Sequence, residues 1–138
     1  MARQASDRQV PDEGPSPEVI EWLATVAFHD IPPELRQHVS NVVFRVEEVP
    51  DSEAERKLKL RPGHSLLGLY RGVPLPNRSV KHLRNSQDMI FLYRRALLDY
   101  WRRSGLPLAD IVRHVLIHEI GHHFGFSDAD MERINRGG

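Results

Sequence analysis

Apolar positions along the chain change period several times, and each change marks an element. In SPEVIEWLATVAFHDIP (16–32), Val19, Leu23, Val26 and Ala27 recur at helical spacing. Ser16 is placed as an N-cap, Pro17 suits the first turn, and Glu18 favours it electrostatically. Ile31-Pro32-Pro33 ends that helix, and PELRQHV predicts a short second one. In NVVFRVEEV the period drops to two: Val42, Phe44 and Val46 alternate with Val43, Arg45 and Glu47, which predicts a strand. The charged DSEAERKLKLRPG reads as a short helix or a surface loop. A second strand is expected over Leu66 to Arg71, closed by Gly72 and Pro74, and the polar PNRSVKHLRNSQ then connects it to a third strand in DMIFLYRR, at Ile90 to Tyr93.

Helical spacing returns in ALLDYWRRSG, where Leu97 and Trp101 share a face and Gly105 marks the stop. Pro107 opens a longer helix, PLADIVRHVLIHEIGHHFG, ended by Gly125. A short helix is expected in SDADMERI, with Ser127 or Asp128 as its cap. The order helix, strand, strand, strand, helix, helix is that of an α+β fold: a small mixed sheet with helices packed on one face. The first fifteen residues are polar and Pro-rich and are expected to form a mobile tail, with residues 16–138 as a single domain.

Composition narrows the chemistry. Lys and Arg number 19, as do Asp and Glu, so there is no general electrostatic pull toward nucleic acid or an anionic membrane. A binder of nucleic acid would have to rely on Arg94, Arg95, Arg102 and Arg103, which read better as a solvated helix face. No apolar stretch is long enough to span a membrane, and the N-terminus lacks the apolar run of a signal peptide, so the expected compartment is the cytoplasm. The chain has no cysteine. Disulfides and thiolate metal sites are thereby excluded, and any metal must be held by His, Asp or Glu.

Those residue types crowd into VLIHEIGHHFGFSDADME, at 115–132. His118 and His122 are four apart and share one helix face, about 6 Å apart along the axis, so their imidazoles can converge on one ion. Glu119 points beside that ion, where its carboxylate can take a proton from metal-bound water. A catalytic zinc takes three protein ligands and keeps one position open. Gly125 can adopt the positive φ needed to turn out of the helix, and the turn would bring Asp128 back toward the imidazoles. Asp130 and Glu132 are rival third ligands that also suit a helix start. His123 should point away from the metal, and Met131 reads as core. His114, one turn before His118 on the same face, is a candidate substrate contact or a plain polar residue. Tyr70, Tyr93 and Arg71 are further candidates for an oxyanion donor.

This constellation, His118-Glu119-x-x-His122-x-x-Gly125-x-x-Asp128, resembles the metzincin pattern with Asp in place of the third His. More narrowly, LLGLYRGVPL (66–75), MIFLYRRALL (89–98) and LIHEIGHHFGFSDADMERI (116–134) resemble the small bacterial zincin-like metallopeptidases. The resemblance implies a compact fold with the metal helix on a small mixed sheet, Zn2+ as cofactor, His118, His122 and Asp128 as ligands, and Glu119 as general base. It also implies an edge strand that pairs with extended substrate, with Leu66–Arg71 and Ile90–Tyr93 as the two candidates. The chain departs from the family at Arg71, where an acidic residue is usual, and in the PNRSVKHLRNS connection.

The expected function is therefore zinc-dependent hydrolysis of peptide bonds. The alternative is a zinc-stabilised module that binds peptides without turnover, since so short a chain has little left from which to build a deep pocket. The expected partner is a peptide or protein substrate, with neither nucleic acid nor membrane, and the chain is expected to act as a monomer or weak oligomer.

Overall fold

The computed structural model describes residues 14–39, 42–59, 66–71 and 88–137. The expected tail up to residue 13, the strand-closing Gly72 and Pro74, and the 76–87 connection lie outside the described residues.

Helix α1, Pro17–Asp30, starts where Ser16 accepts the main-chain N–H of Val19 at 3.2 Å. It buries Ile20, Ala24 and Ala27. Of the apolar residues that recur at helical spacing, Ala27 is buried while Val19 is 43% exposed and Val26 47%. Two apolar stripes compete on this helix. The inward one carries the small residues Ala24 and Ala27, which let α1 approach α5 closely where the two pack. Helix α2, Pro33–Arg36, is a single turn that buries Leu35.

Strand β1 is Val42–Glu47. The charged segment after it is a helix, α3, Ser52–Lys59, begun by Asp51, whose carboxylate accepts the N–H of Ala54 at 2.8 Å. Strand β2 is Gly68–Arg71, and β3 is Asp88–Tyr93. β3 runs directly into α4, Arg94–Ser104, which ends at Gly105 with φ 75°. Helix α5, Leu108–His123, and helix α6, Asp128–Gly137, complete the order. No described helix is long and apolar enough to cross a membrane.

The sheet order is β1-β3-β2. β1 lies parallel to β3, with Phe44 opposite Ile90, and β2 lies antiparallel to it, with Tyr70 opposite the same residue. Ile90, Leu92 and Tyr70 face the main core with α1 and α5, whose Val112, Leu116, Ile117 and Ile120 are fully buried. Met131 joins that core with no exposed surface, in keeping with its reading as packing. The alternate residues Leu69 and Tyr93 lie on the other face, where they cluster with Leu66 and Ala54 of α3. Apolar packing is thus present on both faces of the sheet, with Ala54 of α3 as the helical contribution to the second cluster.

One of the four arginines expected on a solvated face is buried. Arg94 is 4% exposed, donates from Nε to the carbonyl of Pro15 at 2.9 Å, and pairs through Nη1 with Glu48 at 3.2 Å. Arg103 pairs with Asp99 at 3.1 Å and Arg95 with Glu48 at 3.7 Å.

Candidate metal and catalytic site

The end of α5 sets the geometry. The N–H of Phe124 donates back to the carbonyl of Ile120 at 3.1 Å, and that of Phe126 to Gly121 at 2.8 Å. Between them Gly125 sits at φ 84°, a left-handed conformation that only a residue without a Cβ takes cheaply. Ser127 then caps α6, its hydroxyl accepting the N–H of Asp130 at 3.0 Å. Asp128 opens α6 and lies against the helix that the chain has just left.

On α5 the rings of His118 and His122 are 5.8 Å apart and nearly perpendicular, at 83°. Asp128 Oδ1 lies 3.5 Å from Nε2 of His122, and both side chains are open to solvent. Donors on a tetrahedral ion with bonds of about 2.0–2.1 Å stand roughly 3.3 Å apart, so this pair is already at ligand spacing. Among the described residues, no three His, Asp or Glu side chains converge on one point; the pair at ligand spacing is His122 and Asp128, with the His118 ring 5.8 Å from that of His122. Burial, followed by its neighbours His114 and His122, holds the His118 imidazole below its usual range. Its neutral form, the one that binds metal, is thereby favoured. The residues fit zinc in type, and His122 and Asp128 also in spacing.

The rival carboxylates are engaged elsewhere. Asp130 meets Arg133 at 3.4 Å, and Glu132 meets Arg136 at 3.5 Å.

Glu119 is fixed by the sheet. The main-chain N–H of Tyr70 donates to its Oε1 at 3.1 Å. Tyr93 N–H bonds the carbonyl of Leu67 at 3.0 Å, so the paired positions on β2 are Leu67 and Leu69, and the peptide groups of Gly68 and Tyr70 face the opposite edge. That edge lies beside α5. Gly68 makes the approach possible: a Cβ there would come within 2.7 Å of Val115 Cγ1 and 2.9 Å of the carbonyl of Phe91. β3 is the central strand, which leaves β2 as the edge beside the histidines.

The three candidate substrate contacts separate. Tyr70 donates its hydroxyl to Asp88 at 2.5 Å, and its ring stacks on His123 at 4.1 Å. Burial, then the bond and charge of Asp88, raises its pKa well above the usual phenol range. Its hydroxyl is thus committed to Asp88, and its main-chain N–H is what meets Glu119. Tyr93 is 1% exposed on the far face of the sheet, and burial pushes its phenol up to about 12. That placement sets it on the other side of the sheet from α5, because residues alternate along β3 and Asp88, Ile90 and Leu92 share the opposite face with Tyr70. His114 is in ring contact with His118 at 4.1 Å, and partial burial holds it below the ordinary histidine range. Arg71, the departure from the family pattern, pairs with Asp51 at 3.2 Å and lies over the Phe91 ring, on the face turned away from α5.

The sequence reading missed the Tyr70 amide, Gly68 and Asn135. An isolated glycine inside a strand pattern signals close backbone approach, so Gly68 had a readable signal. A main-chain donor carries no residue-type signal at all.

No curated protein gives a match to this chain. A family profile described as zincin-like metallopeptidase matches residues 39–138, from just before β1 through α6. That span takes in both histidines, the tethered glutamate, the turn at Gly125 and the edge strand, and covers well over half of the 138 residues; the chain belongs to the zincin-like metallopeptidase family.

Proposed function

We propose that this protein is a zinc-dependent peptidase that binds substrate as an added strand on β2. The observation that carries the reading is the hydrogen bond from the Tyr70 amide to Glu119, because it joins the helix of the two histidines to the edge of β2, which pairs with no strand on that side among the described residues. His118, His122 and Asp128 would hold the ion. When bound, zinc supplies a polarised substrate carbonyl and a more acidic water.

The outward peptide groups of Gly68 orient an extended peptide by main-chain hydrogen bonds, a mode indifferent to substrate side chains. With Oε1 held by the Tyr70 amide, the Glu119 carboxylate is oriented to accept a proton from water. Glu119 then passes that proton to the leaving amine. A cytoplasmic setting suits a chain without cysteine and belongs to the same proposal.

The test is Glu119→Gln. The variant is expected to keep parental zinc content while losing about 10²- to 10⁴-fold in cleavage of a peptide library. Parental cleavage by the variant would remove Glu119 from the mechanism. Absence of cleavage by the zinc-loaded parent would favour the peptide-binding module.

A further inference from the structure

We infer that Arg113 and Asn135 are positioning residues that lock His114 as an Nε2–H donor aimed at a substrate carbonyl, an inference that deepens the peptidase reading and rests on it. Arg113 Nη1 lies 2.9 Å from both the main-chain carbonyl and the side-chain Oδ1 of Asn135. A guanidinium only donates, so the amide atom facing it must be the oxygen. The orientation of the Asn135 side chain follows, and its NH2 group is the atom turned to His114, with Nδ2 to Nδ1 at 3.3 Å. An amide nitrogen cannot accept, so Nδ1 of His114 accepts and the ring proton of the neutral imidazole sits on Nε2.

Three residues from two helices thus settle a tautomer. Arg113 and His114 stand on α5, and Asn135 is on the last turn of α6. His114 and Asn135 line a cavity of about 430 Å³ together with Tyr100, Leu106, Asp110 and Arg113. His114 also touches the ring of His118. The imidazole therefore borders both that cavity and the ring of His118, and it is from this position that it would meet the carbonyl of a bound peptide. An Nε2–H placed there stabilises negative charge on a carbonyl oxygen as the bond to carbon is attacked, with no proton leaving the ring.

The experiment has a spectroscopic and a kinetic arm. In histidine-labelled, metal-free protein at mildly alkaline pH, long-range ¹H–¹⁵N correlations are expected to show His114 as the Nε2–H tautomer. Asn135→Asp, nearly isosteric but acceptor-only, is expected to switch it to Nδ1–H while leaving the melting temperature at or above the parent's, because Arg113 gains a carboxylate partner. In the zinc-loaded protein, His114→Leu is expected to lower kcat about a hundredfold with KM little changed. His114→Gln, whose Nε2 falls near that of histidine, should recover much of the loss. A parental Nδ1–H tautomer overturns the relay, and a parental kcat in His114→Leu overturns the donor role. Parental protein that holds zinc but cleaves nothing overturns the peptidase reading, while the tautomer measurement still judges the relay.

Discussion

The amide of Tyr70 and the carboxylate of Glu119 meet at 3.1 Å across 49 positions of sequence. The base is thus oriented by the sheet, although the helix carries it. Around the same tyrosine, the hydroxyl is fixed by Asp88 and the ring by His123. Tyr70→Phe removes only the hydroxyl and leaves Asp88 without its donor. It is expected to destabilise the fold by about 1–3 kcal/mol, as loss of a buried partner does. Because the main-chain N–H remains, kcat should fall far less than in Glu119→Gln. Denaturant unfolding alongside steady-state kinetics reads both, and a collapse of kcat with parental stability would contradict this division.

Gly68→Ala should separate β2 from α5. The new methyl meets the carbonyl of Phe91, which is backbone and gives way poorly, as well as Val115. Overpacking of this kind costs about 1–3 kcal/mol. The Glu119–Tyr70 bond lengthens with the displacement, so activity should drop beyond what loss of folded protein explains. Specific activity per folded molecule, measured below the melting transition, checks this. Unchanged specific activity would mean that the strand does not set the base.

Substituting the acids after Gly125 one at a time tests the third ligand. Asp128→Asn is expected to weaken zinc retention at least tenfold, while Asp130→Asn and Glu132→Gln leave it near parental, since those carboxylates serve Arg133 and Arg136. Competition with a metal-indicator dye gives the affinities. Greater loss in either of the last two variants would move the ligand assignment.

Acid sensitivity should involve Arg133. Its guanidinium spans α2 and α6, meeting Glu34 at 2.9 and 3.2 Å and Asp130 at 3.4 Å. The hydrogen bond from Arg133 holds Glu34 below the usual carboxylate range, and Ser127 does so first for Asp130, with Arg133 adding to it. Both carboxyls bind protons less readily folded than unfolded. Their stabilisation is therefore fully present above the unfolded values near about pH 4 and is lost as pH falls through the depressed folded values. Melting temperature against pH should fall less steeply on the acid side in Arg133→Gln. The difference should shrink in high salt, since these groups are exposed. Identical acid limbs would show that the contact contributes nothing.

Local chemistry was readable and long-range placement was not. Ser16, Gly105 and Gly125 announce helix ends by their own conformational needs, and the His118/His122 spacing follows from 3.6 residues per turn. Helical spacing alone did not give the inward face of α1, because Val19 and Val26 are as apolar as the buried Ile20, while Ala24 and Ala27 are buried with it. The edge strand could not be chosen because β2 and β3 are both short apolar runs; parallel pairing of β1 with β3 puts β3 in the middle. Arg94 sits in an arginine-rich run that looks solvated, yet the carbonyl of Pro15 and the carboxylate of Glu48 enclose it.

The left-handed turn at Gly125 separates two levels of organisation. It lets two consecutive helices carry all three proposed ligands within one continuous stretch, so closing them on an ion would close only a small loop and order few residues. The base depends on a strand far away in the chain. On the proposed reading, metal capture and proton transfer would then belong to different cooperative units, and partial loosening of the sheet is expected to abolish turnover before zinc retention.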